Sequence, residues 1–150
     1  KSEAACRQMV SRARRRVSGR RPRAQVSEAA RRQILARFVQ ALRPPAPAAL
    51  MALFAEGASW TSDGGGKAKA ALKVLRGRER VALFVLNVLG RAAHRLAFEF
   101  TTANGELAVA LSAQGRLISV ITVRTDGVRI LDVYAVLNPD KLAPAVAARG

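Results

Sequence analysis

The stretch that decides the fold runs from Leu96 to Val136, LAFEFTTANGELAVALSAQGRLISVITVRTDGVRILDVYAV. Its first strand alternates apolar and polar side chains with a period of two, which is typical of a strand with one buried face. Three two-residue turn signals divide the stretch, and such pairs favour tight hairpins: Asn104-Gly105, Gln114-Gly115 and Asp126-Gly127. The stretch therefore predicts an antiparallel meander of four strands, beginning near 96, 107, 117 and 128.

Upstream of this stretch the apolar residues recur at helical spacing. Ser27 is expected to cap a helix that runs to about Arg43, and the proline-rich 44–47 stops it. A short helix, two strands and a third amphipathic helix are then predicted over 48–55, 58–62, 70–75 and 78–91. This order of elements indicates the α+β class, with a curved antiparallel sheet wrapped around helices in a cone.

Composition limits the class of protein. Half of the 150 residues are hydrophobic, which is enough for one domain with a core. No apolar run approaches the roughly 20 residues that cross a bilayer, and the start has no secretory apolar segment. The single cysteine, Cys6, excludes an internal disulfide and fits a reducing compartment. We therefore expect a cytoplasmic protein that does not bind membranes.

The net charge of +16 is concentrated at the start of the chain. Residues 1–25 contain nine basic side chains and one acidic, a net +8. Residues 1–18 are predicted to form a basic helix, and 19–26 a linker that Gly19 and Pro22 break. Such asymmetry is typical of a segment that binds phosphate backbones. The alternative is an arginine-rich tail that only interacts with water.

Two short motifs are not explained by packing: Asp63, Gly64, Gly65, Gly66 and Lys67 (DGGGK), and Asn138, Pro139, Asp140, Lys141 and Leu142 (NPDKL). Consecutive glycines occur where the backbone takes a positive φ or approaches another group closely. With these motifs, residues 27–142 resemble the SnoaL-like, nuclear-transport-factor-like cone found as a C-terminal extension of some extracytoplasmic-function RNA polymerase sigma factors. Ser2 to Arg14 (SEAACRQMVSRAR) is similar to the recognition helix of sigma region 4.

The resemblance implies three parts and a role in transcription initiation. Residues 1–18 would be the remnant of the recognition helix, 19–26 a linker, and 27–150 a regulatory domain that modulates engagement of promoter and polymerase. The implied partners are DNA, the polymerase core and the remaining sigma domains, and the two motifs would form the regulatory site. The implied DNA-binding residues are Arg7, Arg12, Arg14, Arg15 and Arg16. No cofactor and no metal are implied.

The sequence also departs from that family. The region that melts the −10 element and most of region 4 are missing, so we expect the chain to be part of a longer protein. Ala24 stands where relatives tend to carry an aromatic residue, and 44–47 replaces a short polar turn. A homodimer and a small ligand in the cone pocket are left open as further partners.

SnoaL-like cones also include isomerases and cyclases, so an enzyme is the competing interpretation. Its candidate acid–base residues are Asp63, His94, Asp132 and Tyr134. Asp132 shares strand parity with Ile130 and is expected to face the cone interior, where a paired, structural carboxylate is favoured over a catalytic one. His94 is expected to be solvated, and turn chemistry alone could explain Asp63. We therefore expect a binding protein without turnover.

Overall fold

The computed structural model describes residues 26–64 and 73–137. Its elements are α1 (Glu28–Leu42), α2 (Pro47–Leu53), β1 (Phe54–Asp63), β2 (Lys73–Arg76), α3 (Arg78–Val85), a π turn (Leu86–Gly90), a short 3-10 turn (Ala93–Arg95), β3 (Leu96–Ala103), β4 (Glu106–Ala113), β5 (Arg116–Thr125) and β6 (Ile130–Val136). The α+β prediction is confirmed. The third helix is shorter than the predicted 78–91, because its last turn widens into the π turn, where Gly90 packs near Pro45.

The strands form a single six-stranded sheet in the order β2-β1-β6-β5-β4-β3. The four last strands pair antiparallel with their neighbours in sequence, which confirms the predicted meander. The periodicity did not reveal that β1 pairs parallel with β6, with Trp60 opposite Val133 and Asp63 opposite Val136. This pair joins the two halves of the chain within the sheet.

Helix α1 begins as the sequence predicts. The Ser27 side chain accepts a hydrogen bond from the Ala30 backbone N–H at 3.1 Å, which satisfies one of the free N–H groups of the first turn. Ile34, Leu35, Phe38 and Leu42 form its buried stripe. Because each such side chain contributes about 1.5–3 kcal/mol on burial, this stripe is what attaches the helix to the sheet.

The helices cover one face of the sheet, here called the inner face. Trp60 of β1 meets Phe84 of α3 with ring centroids 5.5 Å apart, and Phe54 meets Phe38 at 6.5 Å. Phe54 and Trp60 therefore lie in the core, and Phe84 packs against it. The buried side chains of all three helices belong to this core, together with Val133 of β6.

The opposite side of the sheet, here called the outer face, carries side chains that alternate with the core residues along each strand. It is formed in the described residues chiefly by Ser59, Thr61, Ala108, Ala110, Val120, Thr122, Arg124, Asp132, Tyr134 and Val136. The buried side chains of α1, α2 and α3 pack on the inner face instead.

Two hairpin turns take the left-handed backbone that their sequence requires. Asn104 has φ 57° and Gln114 has φ 52°, and the glycine after each has φ 78°. Positive φ at both central residues is the type I′ geometry, whose twist matches that of the flanking strands. The NG and QG signals were therefore sufficient to place these two connections.

Several predictions concern residues outside the described ranges. They are the basic helix 1–18, most of the linker 19–26, Cys6, residues 70–72 of the predicted strand, Gly65 to Lys67 and Asn138 to Leu142. These remain predictions.

Candidate functional site

The two strands that lead into the motifs, β1 and β6, end at the same edge of the sheet. Because β1 and β6 run parallel, their last residues, Asp63 and Val136, lie side by side. The backbone N–H of Leu137 donates to the carbonyl oxygen of Asp63 at 2.8 Å. The DGGGK motif therefore begins directly beside the residue that precedes the NPDKL motif, although they lie far apart in sequence.

The described part of the first motif is its beginning. Asp63 is half-buried and Gly64 is buried at the end of β1. Strand β2 starts at the same end, since Lys73 pairs with Ser62. Residues 64–72 therefore connect two antiparallel strands, β1 and β2.

Asp132 forms a hydrogen-bonded ion pair on the outer face. The Ser59 hydroxyl donates to its Oδ1 at 2.6 Å, and the Arg124 Nε–H donates to its Oδ2 at 2.7 Å. Asp132 is 4% exposed, so the expectation of a paired structural carboxylate is confirmed.

The expectation that Asp132 faces the cone interior is wrong. Arg124 and Thr125 are consecutive on β5 but pair with Asp132 and Ile130 of β6, so Leu131 is an extra residue in a bulge. The bulge interrupts the alternation, which lets Ile130 reach the core while Asp132 points to the other face. Tyr134 lies on the outer face with Asp132, two residues on and opposite Thr61.

The other enzyme candidates are not brought together in an interior pocket. His94 is exposed in the short 3-10 turn before β3, as the interpretation of a solvated histidine expects. Asp63 lies at the sheet end and Asp132 and Tyr134 lie on the outer face. On the inner face, the Trp60 indole N–H donates to the Ser62 hydroxyl at 2.7 Å. The four candidates therefore do not form one constellation.

Several arginines of the cone are bound to the cone itself. Arg31 of α1 donates to the carbonyl oxygen of Val123 at 2.6 Å and lies 3.8 Å from a Glu106 carboxylate oxygen. Arg32 stacks 4.7 Å from the centroid of Phe100, and Arg43 lies 5.4 Å from that of Phe98. Sequence reasoning did not identify these partners. Their signal was weak, because it consists only of arginines on α1 or at its C-cap and of two phenylalanines on the same face of β3.

Among the described residues, no group of three or more His, Cys, Asp and Glu side chains is placed to hold a metal ion. Within the same ranges, no helix is long and apolar enough to cross a membrane.

Comparison with known proteins identifies relatives of the chain, although no family model matches it. It is 31% identical to the ECF RNA polymerase sigma factor SigJ of Mycobacterium tuberculosis over 93% of its own length. The chain spans about half of that relative, 48% of its length. The SigJ crystal structure matches 96% of this chain and 52% of its own, with a TM-score of 0.62 and 26% identity.

Two more distant structures support the fold alone. A SnoaL-like protein of unknown function from Burkholderia thailandensis matches 74% of this chain and 97% of its own, with 20% identity and a TM-score of 0.56. An NTF-2-like protein of unknown function from Burkholderia xenovorans matches 74% of this chain and 84% of its own, with 16% identity and a TM-score of 0.53. By its sequence match to SigJ and its SnoaL-like sheet, the chain is a homologue of the ECF RNA polymerase sigma factor SigJ with a SnoaL-like fold.

Proposed function

We propose that this chain is the regulatory C-terminal portion of an alternative sigma factor, and that its cone modulates how that factor engages promoter and polymerase. The observation that carries the proposal is the hydrogen bond from the Leu137 N–H to the Asp63 carbonyl oxygen. It places Asp63, the first residue of DGGGK, beside Leu137, the residue that precedes NPDKL. We infer that the two motifs together contact a neighbouring sigma domain.

The proposed chemistry is binding, without turnover. Catalysis by general acids and bases needs titratable groups within reach of one substrate. Asp132 is instead occupied by Ser59 and Arg124, on the face away from the core. His94 is exposed on a turn. The homology to SigJ supports DNA and RNA polymerase as the partners of the protein to which this chain belongs.

The test is transcription in vitro with polymerase core and the complete sigma factor that contains this chain. Asp63→Ala and Lys67→Ala should each change the rate of initiation several-fold, because they alter the surface where the motifs meet. Glu56→Ala is the matched control, since it removes an exposed charge near the start of the same strand, β1. Equal rates for the two motif variants, the control and the parent would contradict the proposal.

A further inference from the structure

Strand β3 forms one edge of the sheet, and among residues 26–64 and 73–137 it pairs with β4 alone. Edge strands of soluble proteins are normally protected by a short length, a bulge, a proline or a lysine. β3 has eight residues (LAFEFTTA), contains no proline or lysine, and pairs with β4 without a register shift. The strand at the opposite edge, β2, has only four residues. β3 therefore has the form of a strand that can accept another strand.

The hairpin turn determines which backbone groups of β3 point away from β4. Ala103 lies opposite Glu106 across the two-residue type I′ turn, and residues that flank such a turn exchange both of their backbone hydrogen bonds. Because bonded and non-bonded pairs alternate along an antiparallel ladder, the backbone N–H and C=O groups of Phe98, Phe100 and Thr102 point to the side away from β4. These residues offer a row of donors and acceptors to a further strand.

Positive charge borders this row on the inner face. Arg43 lies 5.4 Å from the ring centroid of Phe98, and Arg32 lies 4.7 Å from that of Phe100. A guanidinium that stacks on a ring still has five N–H donors in its own plane. The Arg32 side chain is 51% exposed, and Phe100 is 42% exposed. The two arginines therefore present charge beside strand positions that are two residues, or about 7 Å, apart.

We propose that β3 accepts an extended, acidic segment of a partner protein as a further strand of the sheet. Alternate residues of a strand lie on the same face, so two carboxylates spaced as Glu-x-Glu can both lie on the inner face. Placed opposite Phe98 and Phe100, they approach Arg43 and Arg32. The backbone of β3 supplies the hydrogen bonds of this strand addition, and the two arginines select the charge of the segment.

Charge favours this partner over a second copy of the chain. Each copy carries a net charge of +16, and pairing β3 with itself would bring Arg32 and Arg43 of both copies to the same edge. Glu28 lies 3.9 Å from Arg32, but both side chains are at least half exposed, so water screens this pair. An incoming carboxylate can therefore replace Glu28. The proposal goes beyond the proposed role in transcription and does not depend on it.

The test measures binding of a fluorescein-labelled peptide, TVETEVT, to the full chain by fluorescence anisotropy at low salt. The peptide TVEETVT has the same composition but places its two carboxylates on opposite faces of a strand. TVETEVT should bind about five-fold more tightly than TVEETVT, because only its carboxylates reach both arginines. Equal affinity for the two peptides, or no binding of TVETEVT at concentrations up to about 1 mM, would overturn the proposal.

Variants of the chain locate the charge. Arg32→Ala with Arg43→Ala should weaken binding of TVETEVT about five-fold. The matched control is Arg76→Ala with Arg80→Ala, which removes two exposed positive charges away from β3 and should leave the affinity near the parent value. Equal losses in the two double variants would assign the binding to overall charge and would overturn the proposal.

A variant of the backbone tests the added strand itself. Thr102→Pro removes an N–H that points away from β4, so it should weaken binding of TVETEVT about five-fold while the emission maximum of Trp60 stays at its parent wavelength. Thr102→Val keeps that N–H and should bind as the parent does. Equal affinity of the proline and valine variants would overturn strand addition. A chain that dimerises in sedimentation, and loses the dimer with Thr102→Pro, would assign the edge to a second copy and would also overturn the proposal.

Discussion

At the scale of the residue, Asp132 is the side chain whose removal we expect to lower the unfolding free energy strongly. Its carboxylate pairs with Arg124, and the side chain of Arg124 is only 16% exposed. Asp132→Ala would leave that guanidinium largely buried without its partner, and the Ser59 hydroxyl without its acceptor. We therefore expect the variant to lose about 3 kcal/mol of unfolding free energy, measured by urea denaturation followed at Trp60.

The control for this prediction is Glu56→Ala. Glu56 is an exposed carboxylate on β1, the strand that also carries Ser59, and its removal should change the unfolding free energy by less than about 0.5 kcal/mol. A loss of about 1 kcal/mol or less for Asp132→Ala, the range of surface ion pairs, would mean that water already screens the pair with Arg124.

Asp126 gives the chain a defined response to acid. Its Oδ1 accepts the backbone N–H groups of Arg129 at 2.8 Å and Val128 at 2.9 Å. The Arg129 hydrogen bond, more than any other contact, lowers the pKa of Asp126 below its ordinary value. Because the folded pKa is lower than the unfolded pKa of about 3.9, the ionised group stabilises the fold above that pH. This stabilisation is lost as the pH falls through the folded pKa.

Asp126→Asn tests this response, because the amide oxygen keeps an acceptor but cannot ionise. The parent should be more stable than the variant at neutral pH by less than about 1 kcal/mol, since the group is largely solvated. The difference should disappear below the folded pKa of Asp126, as measured by urea unfolding from about pH 7 to pH 2. A difference that is constant over this range would show that the turn does not depend on the charge.

At the scale of the element, the two type I′ hairpins provide a matched exchange. Asn104 and Gln114 occupy the same turn position with positive φ, but asparagine tolerates that conformation better than glutamine. Gln114→Asn should therefore stabilise the protein by about 0.5–1 kcal/mol, and Asn104→Gln should destabilise it by a similar amount. Thermal unfolding should show shifts of opposite sign, and the double variant should lie near the parent. Shifts of the same sign would mean that contacts outside the two turns determine the change in stability.

The hairpins also show what sequence could predict of the fold. A β-hairpin is specified by a turn and by alternation on either side of it, and both are local, so β3 to β6 could be placed from the sequence. The parallel pairing of β1 with β6 joins residues about seventy positions apart, such as Trp60 and Val133, and no local signal specifies it. No local signal in the sequence indicates the bulge at Leu131 either. The alternation of side chains along β6 therefore assigned Asp132 to the wrong face.

At the scale of the molecule, the two motifs predict a site, and the sequence did not indicate how close together the motifs begin. Their residue types marked two segments that packing does not require. Only the parallel β1–β6 pair brings the beginning of one beside the residue that precedes the other, through Asp63 and Leu137. For the arginines on α1 and at its C-cap, the sequence suggested a surface of unengaged positive charge that the structure does not show. They contributed to an apparently basic surface in the sequence, yet Arg31, Arg32 and Arg43 are engaged with the sheet.

The last prediction concerns the arginines at the start of the chain. If Arg7, Arg12 and the run 14–16 contact phosphates, the chain should bind duplex DNA weakly and with steep salt dependence, because each neutralised phosphate releases counterions. Changing Arg14, Arg15 and Arg16 together to Ala should weaken binding to all sequences about equally. It should reduce the slope of log K against log salt concentration by up to about 3, measured by fluorescence anisotropy.

Sequence preference should be poor in the same assay, because contacts to phosphates carry no direct information on base sequence. The matched control changes Arg76, Arg91 and Arg95 to Ala, which removes three exposed positive charges from the cone itself. Net charge falls equally in the two triple variants, so only local contact with phosphate can separate them. Equal loss of affinity in both would assign the binding to overall charge, and salt-independent binding in the parent would show that the arginines at the start of the chain do not contact phosphate.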